Sequence, residues 1–222
     1  MRATPEQASG APPTPDRDCP LCPRLAEFRH RQRHAHDDWH NAPVPAFGDL
    51  DARLLIVGLA PGLKGANRTG RPFTGDFAGD LLYATLVKFG FAHGSYGARA
   101  DDGLALVDCR ITNSVRCVPP ENKPEPAEIA ACRPLLVAEI SAMTRLRVIL
   151  ALGAIAHGTV LGALNQRKSA FPFKHGALHP LSAGMLLADS YHCSRYNTNT
   201  GVLTVEMFET MFHAIKTRLT KR

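Results

Sequence analysis

Leu54-Leu55-Ile56-Val57 is a short, branched, apolar run that stops abruptly at Gly58 and opens into a long polar loop, LAPGLKGANRTGRPFTGD, ending at Asp76. Four consecutive apolar residues leave no polar face for solvent, so the run suits a strand covered on both sides, as in the middle of a parallel sheet. Similar runs recur at Val148–Leu152 and at 185–189, and 104–115 reads as a further strand broken by polar Asp108, Arg110, Thr112 and Asn113. Between them lie stretches of helical period at 79–89, 128–144 and 153–161. Another helix is expected from Pro23 to about Ala35, and a last one after Thr204, which can cap it, with the apolar stripe Phe208, Met211, Phe212, Ile215 and Leu219. This alternation of strand and helix predicts an α/β fold with a doubly wound parallel sheet.

In such a fold the polar loop sits at a strand's carboxyl end, where ligands bind because loops converge and helix amino termini point N–H groups into the crevice. Two familiar phosphate loops are excluded by spacing. Gly58, Gly62 and Gly65 do not form G-x-G-x-x-G, and Lys64 lies between Leu63 and Gly65, so there is no G-K-[ST] cradle. What remains is an aromatic ring, Phe73, and a carboxylate, Asp76, among glycines that let backbone approach a flat ligand. The bland alternative is a large ordered surface loop whose glycines only make turns. Polar stretches also follow the other strands, ITNSVRCVPPENKP after residue 110 and SYHCSRYNTNTG after Asp189.

The chain has 222 residues, 45% of them hydrophobic, enough for one substantial core. Residues 1–18, rich in Pro, Ala and small polar residues, read as a disordered tail, and 19–222 as a single domain. Lys and Arg number 26 against 20 Asp and Glu, which suits a polyanionic partner without demanding one. No segment approaches a membrane span or a secretory signal, so no membrane partner is expected and a cytoplasmic location is. Six cysteines then need a use other than disulfides. Cys19 and Cys22 form C-x-x-C, and Cys117 and Cys132 stand far downstream. Zinc would usually bring a second C-x-x-C, whereas a [4Fe-4S] cluster tolerates such spacings, and the residues alone leave both open. His30 and His34 are one helical turn apart but lack the Glu of H-E-x-x-H, and they read as part of a solvated basic face. Cys109 and Cys193 read as buried thiols; Cys193 beside His192 is no nucleophile pair, because adjacent side chains rarely face each other.

Together, GLAPGLKGANRTGRPFTGD, ITNSVRCVPPENKP and HCSRYNTNTG resemble the motifs of the type-B, or fifth-family, uracil-DNA glycosylases, and the resemblance extends from Cys19 to about Thr204. It implies a three-layer α/β/α sandwich around a four-stranded parallel sheet, in an enzyme expected to remove uracil from DNA, with other deaminated bases such as hypoxanthine as further candidate substrates. It also implies a [4Fe-4S] cluster on Cys19, Cys22, Cys117 and Cys132. The related fourth family carries a Glu just after the first strand's glycine; here Leu59 stands there, as an apolar residue does in the type-B group.

Breaking a base–deoxyribose bond leaves an electron-poor sugar and an electron-rich base, so a carboxylate must face one and a donor the other. By motif match these are Asp76 and His192. The base must leave the duplex, which calls for a stacking ring and an amide for its pairing edge, roles that fit Phe73 and Asn113, with Gly58 and Gly62 beside them. Arg68, Arg71, Lys123, Arg195 and Asn197 lie in the same loops and are candidate DNA contacts. A monomer associated with the nucleoid is the expected setting. The competing readings are an iron–sulfur DNA-binding or redox module without excision activity, and a zinc-stabilised nucleotide hydrolase.

Overall fold

A computed structural model describes residues 14–220. The first thirteen residues of the expected tail, and the last two of the chain, lie outside the described residues. Residues 14–18 are described, and Arg33 holds them through the Asp18 carboxylate and the Arg17 carbonyl.

In chain order the elements are α1 (Pro23–Ala35), β1 (Leu54–Gly58), α2 (Ala66–Thr69), α3 (Phe77–Lys88), β2 (Ala92–His93), β3 (Ala105–Leu106) and β4 (Cys109–Asn113), then α4 (Pro126–Ala142), β5 (Val148–Leu152), α5 (Ala154–Ala163), β6 (Leu178–Pro180), β7 (Leu186–Ser190), α6 (Arg195–Asn199) and α7 (Val205–Thr220). The main sheet runs β4-β1-β5-β7-β6. β1 is central to its first half, parallel to both β4 and β5, and β7 is parallel to β5.

Strand alternation sends Leu54 and Ile56 to one face, where they meet Leu82 and Leu86 of α3 and Phe208 and Phe212 of α7. Leu55 and Val57 go to the other, against Leu136 of α4 and Val160 and Leu161 of α5. Burying each such side chain contributes roughly 1.5–3 kcal/mol, so both faces of β1 are covered and the fold has three layers.

The sheet differs from the expected four strands by one. β6 pairs antiparallel with β7 at the edge. Its three residues, Leu-His-Pro, are too few to show a period, and Pro180, lacking an N–H, suits an edge. The expected strand at 104–115 is split. Asp108 takes a left-handed backbone (φ 51) and its carboxylate accepts from the Arg53 N–H and guanidinium, dividing β3 from β4. α3 starts two residues before its expected beginning because the Asp76 side chain accepts from Gly79 N–H and caps it. Thr204 caps the first turn of α7 through Met207 N–H.

Candidate active site

The carboxyl ends of β1, β4 and β7 bring the three polar stretches together around one cavity of about 500 Å³, lined among others by Leu59, Phe73, Asp76, Asn113, His192 and Arg195. Gly58 and Asn113 are register partners at the ends of β1 and β4. A Cβ on Gly58 would overlap Asn113 Oδ1 and lie 2.5 Å from Phe73 Cζ. The Phe73 ring and the Asn113 amide therefore meet over a backbone that has to be bare.

Phe73 reaches this position only through a left-handed backbone (φ 53), a strain of order 1–3 kcal/mol for a residue with a side chain. The loop holds it there. Tyr96 OH donates to the Phe73 carbonyl and accepts from Gly75 N–H, and a Cβ on Gly79 would run into the same carbonyl. Phe73 stacks on His192 at 5.9 Å between ring centroids, 27° between planes.

Asp76 has two tasks. Oδ1 accepts from Gly79 N–H at 3.2 Å and caps α3. Oδ2 lies toward Gly62 and Gly65, where a Cβ on Gly62 would sit 3.0 Å from it and one on Gly65 would overlap it. Those glycines make room for a carboxylate. Burial raises the Asp76 carboxyl above its ordinary value, opposed by the N–H groups of Gly79 and Ala78.

His192 follows β7, and the loop that carries it is closed by Asn197 Nδ2 donating to the His192 carbonyl at 2.8 Å. Burial pushes the imidazole down to about 4, so at neutral pH the ring is uncharged and one of its nitrogens donates. Neither its ring nor the Asn113 amide has a hydrogen-bond partner among the described residues, which leaves their donors and acceptors free for a ligand in the cavity.

The five candidate DNA contacts divide. Arg68, Lys123 and Arg195 are exposed, Lys123 in a loose pair with Glu121 and Arg195 5.2 Å above the Phe77 ring. Asn197 spends its amide on the loop. Arg71 is corrected outright: it is buried, bidentate with Asp102 at 2.7 and 2.8 Å, and surrounded by Phe47, Tyr83 and Tyr96. A guanidinium so enclosed cannot reach a phosphate, and its hydrogen bonds hold the Asp102 carboxyl well below the usual range. Sequence reasoning passed over Tyr196, which is 73% exposed on α6 beside Arg195. An aromatic next to an arginine in a polar loop was the available signal.

Cys19, Cys22, Cys117 and Cys132 line one small cavity beside the ITNSVRCVPPENKP loop, with Leu25 and Arg29. Burial raises the thiols of Cys22 and Cys117 to about 11 and also raises that of Cys132. Among the described residues no three of these sulfurs lie within 4.8 Å of one another. Four cysteines converging on one cavity, with a buried guanidinium touching one of the sulfurs, fit a thiolate-held metal centre.

Two other features lie apart from this cavity's chemistry. Asp189, fully buried, accepts from or pairs with His157 Nδ1 at 2.7 Å and His179 Nε2 at 2.9 Å, tying α5 and β6 to β7 behind the His192 loop. A larger concavity of about 710 Å³ opens at the sheet's opposite, amino-terminal edge among Arg53, Arg145, Arg147 and Arg218, with no carboxylate, histidine or cysteine among its described lining residues.

The family described as the uracil DNA glycosylase superfamily matches residues 45–216. The chain is 46% identical over 195 residues to the Type-5 uracil-DNA glycosylase of Thermus thermophilus, covering 86% of this chain and 89% of that protein. It is 43% identical to the protein of the same name from Mycobacterium leprae, covering 89% and 90%. Against that of Pyrobaculum aerophilum it is 40% identical, covering 85% and 84%.

Proposed function

We infer that this chain, which belongs to the uracil DNA glycosylase superfamily, is a uracil-DNA glycosylase that hydrolyses the bond between uracil and deoxyribose in DNA repair. The observation that carries the reading of its site is the meeting, in one cavity, of a stacking ring, an unpartnered amide, a neutral imidazole and a carboxylate. An extruded uracil would lie against Phe73 with its pairing edge toward Asn113, whose Oδ1 accepts from N3–H while Nδ2 donates to O4. As the C1′–N1 bond breaks, its electron pair leaves with the base, and neutral His192 donates to the base oxygen on which the charge gathers. Asp76 Oδ2 faces the electron-poor sugar, to which water adds with loss of a proton. The products are free uracil and an abasic site.

Incubation with a uracil-containing oligonucleotide, followed by alkaline cleavage, tests the activity; strand scission at the uracil position is the expected result. Binding without scission would instead favour the DNA-binding module. Hypoxanthine in the same position tests the wider base range. The exposed Arg68, Lys123 and Arg195 are proposed backbone contacts, and Tyr196 a wedge for the gap the base leaves. Tyr196→Ala should then slow excision from duplex more than from single strands, measured on matched oligonucleotides.

Asn113→Asp should cut uracil excision and narrow the gap to cytosine, which presents the reverse polarity. A mismatched polar contact in a closed pocket costs on the order of 1–3 kcal/mol per unpaired group. Unchanged uracil kinetics would remove Asn113 from the pocket. The pH dependence separates the two catalytic groups. Because His192 stays neutral down to about 4, the excision rate should be level between pH 7 and 5 on its account. The rate should fall only as pH drops through the Asp76 carboxyl, whose value lies above 3.8. A break near 6.5 in single-turnover rates that persists in Asp76→Asn would mean that His192 titrates as an ordinary histidine.

The proposed cofactor is a [4Fe-4S] cluster on Cys19, Cys22, Cys117 and Cys132, supported by the convergence of the four cysteines on one cavity and by a buried cation beside them. When bound, it supplies a covalent pin between α1, the loop after β4 and α4, since excision transfers no electron. No described helix is long and apolar enough to cross a membrane. A monomer working at the nucleoid in the cytoplasm is the proposed setting.

A further inference from the structure

Three arginines are buried deeply, and two of them meet a carboxylate: Arg71 pairs with Asp102, and Arg116 shares Glu139 with Arg110. Arg29, on α1, is 1% exposed and has none among the described residues. Asp18, the nearby carboxylate, is exposed and bonded to Arg33. Arg29 instead gives Nη1 to Cys117 Sγ at 3.3 Å and Nη2 to the Cys19 carbonyl at 3.1 Å, and its Nε is buried without a partner.

A buried guanidinium without an anion is too costly to persist in a stable core, so the site has to hold negative charge. Neutral thiols cannot provide it. Four thiolates around a [4Fe-4S] core of formal charge two-plus carry two net negative charges, and one-electron reduction adds a third. A fixed cation touching one of the sulfurs favours each added electron.

We propose that Arg29 is the buried counter-ion of the cluster, a positioning residue that bridges the Cys19 and Cys117 segments and raises the cluster's reduction potential. The inference rests on the cluster reading and deepens it, adding a fifth residue to the four ligands. It requires no electron transfer during excision.

The test is a redox titration of the purified holoprotein, with dithionite as reductant and ferricyanide as oxidant, read through visible absorbance, alongside iron release to a chelator. Arg29→Met and Arg29→Gln remove the charge; Gln can keep the bond to the Cys19 carbonyl and serves if the Met variant does not fold. Both should shift the one-electron equilibrium toward the oxidised form by tenfold or more, about 59 mV, and release iron faster. Arg29→Lys should restore most of the shift. Arg31→Gln, which breaks an exposed pair with Glu27 on the same helix, should leave the potential where it is. A brown parent whose potential is unmoved in the neutral variants overturns the counter-ion role alone, as does a Lys variant displaced as far as the neutral ones. A parent without iron overturns the cluster reading and this inference together.

Discussion

Replacing Asp76 by Asn is expected to slow single-turnover excision of uracil by ~10²-fold or more, about 2.7 kcal/mol, with melting temperature and DNA affinity nearly kept. The substitution isolates charge because Asn caps a helix as well as Asp, so the bond from Gly79 N–H to Oδ1 survives. It also fits the same space, bounded by the bare backbones of Gly62 and Gly65. What is lost is the negative charge on Oδ2, which the proposed mechanism sets toward the sugar. No neighbouring group can replace it, since Leu59, which lines the same cavity, is apolar. Saturating enzyme on a uracil-containing oligonucleotide gives the rate, and thermal unfolding gives the stability. A variant that cuts at the parent rate would leave the chemistry to His192 and the backbone. A lower melting temperature with little loss of rate would reduce Asp76 to a helix cap.

Cys117→Ala should bleach a protein that otherwise purifies brown with broad absorbance near ~400 nm, and should destabilise it by several kcal/mol. For a chain of this length that is a fall in melting temperature on the order of 10 °C. The size follows from what the four cysteines join: the start of α1, the loop after β4 and the middle of α4, which otherwise share a small apolar cluster around Leu25 and Val115 and the ion pairs Arg24–Glu128 and Arg116–Glu139. Removing one ligand also strands the buried Arg29 cation. Cys109→Ala is the control, since Cys109 is buried at the start of β4 in a different apolar cluster from the cage, and its loss should leave the colour. A colourless parent holding one equivalent of zinc would overturn the cluster assignment.

The parts of the fold that were legible in the sequence are those decided by neighbours along the chain. β1 and β5 could be read from unbroken apolar runs, α1 from its opening proline and α7 from its stripe and its Thr204 cap, because periodicity and capping act over a turn or two. β6 was not legible. Three residues ending in proline carry no period, and the strand exists only because β7 offers an open edge. α6 was hidden in the same way, a single turn inside a polar stretch, started by Ser194 accepting from Asn197 N–H.

The site shows the same division. The residue types proposed for the chemistry were visible through the resemblance of the three loop motifs to a known family, which singled out Asp76 and His192, with Phe73 and Asn113 fitting the roles left over. By itself the sequence determined the layered α/β fold and the edge of the sheet that carries the loops. Only the tertiary structure decided what each arginine in those loops does. Arg68 and Arg71 are three residues apart and chemically identical, yet one is in solvent and the other is locked onto Asp102 among three aromatic rings. The same holds for Arg29, one of four arginines on its helix, whose burial against Cys117 depends on a segment 88 positions away. A charged side chain carries no local preference strong enough to set its own burial. That is set by which distant carboxylate, ring or sulfur the fold brings to it, since an unpaired charge stays in water and a paired one can be enclosed.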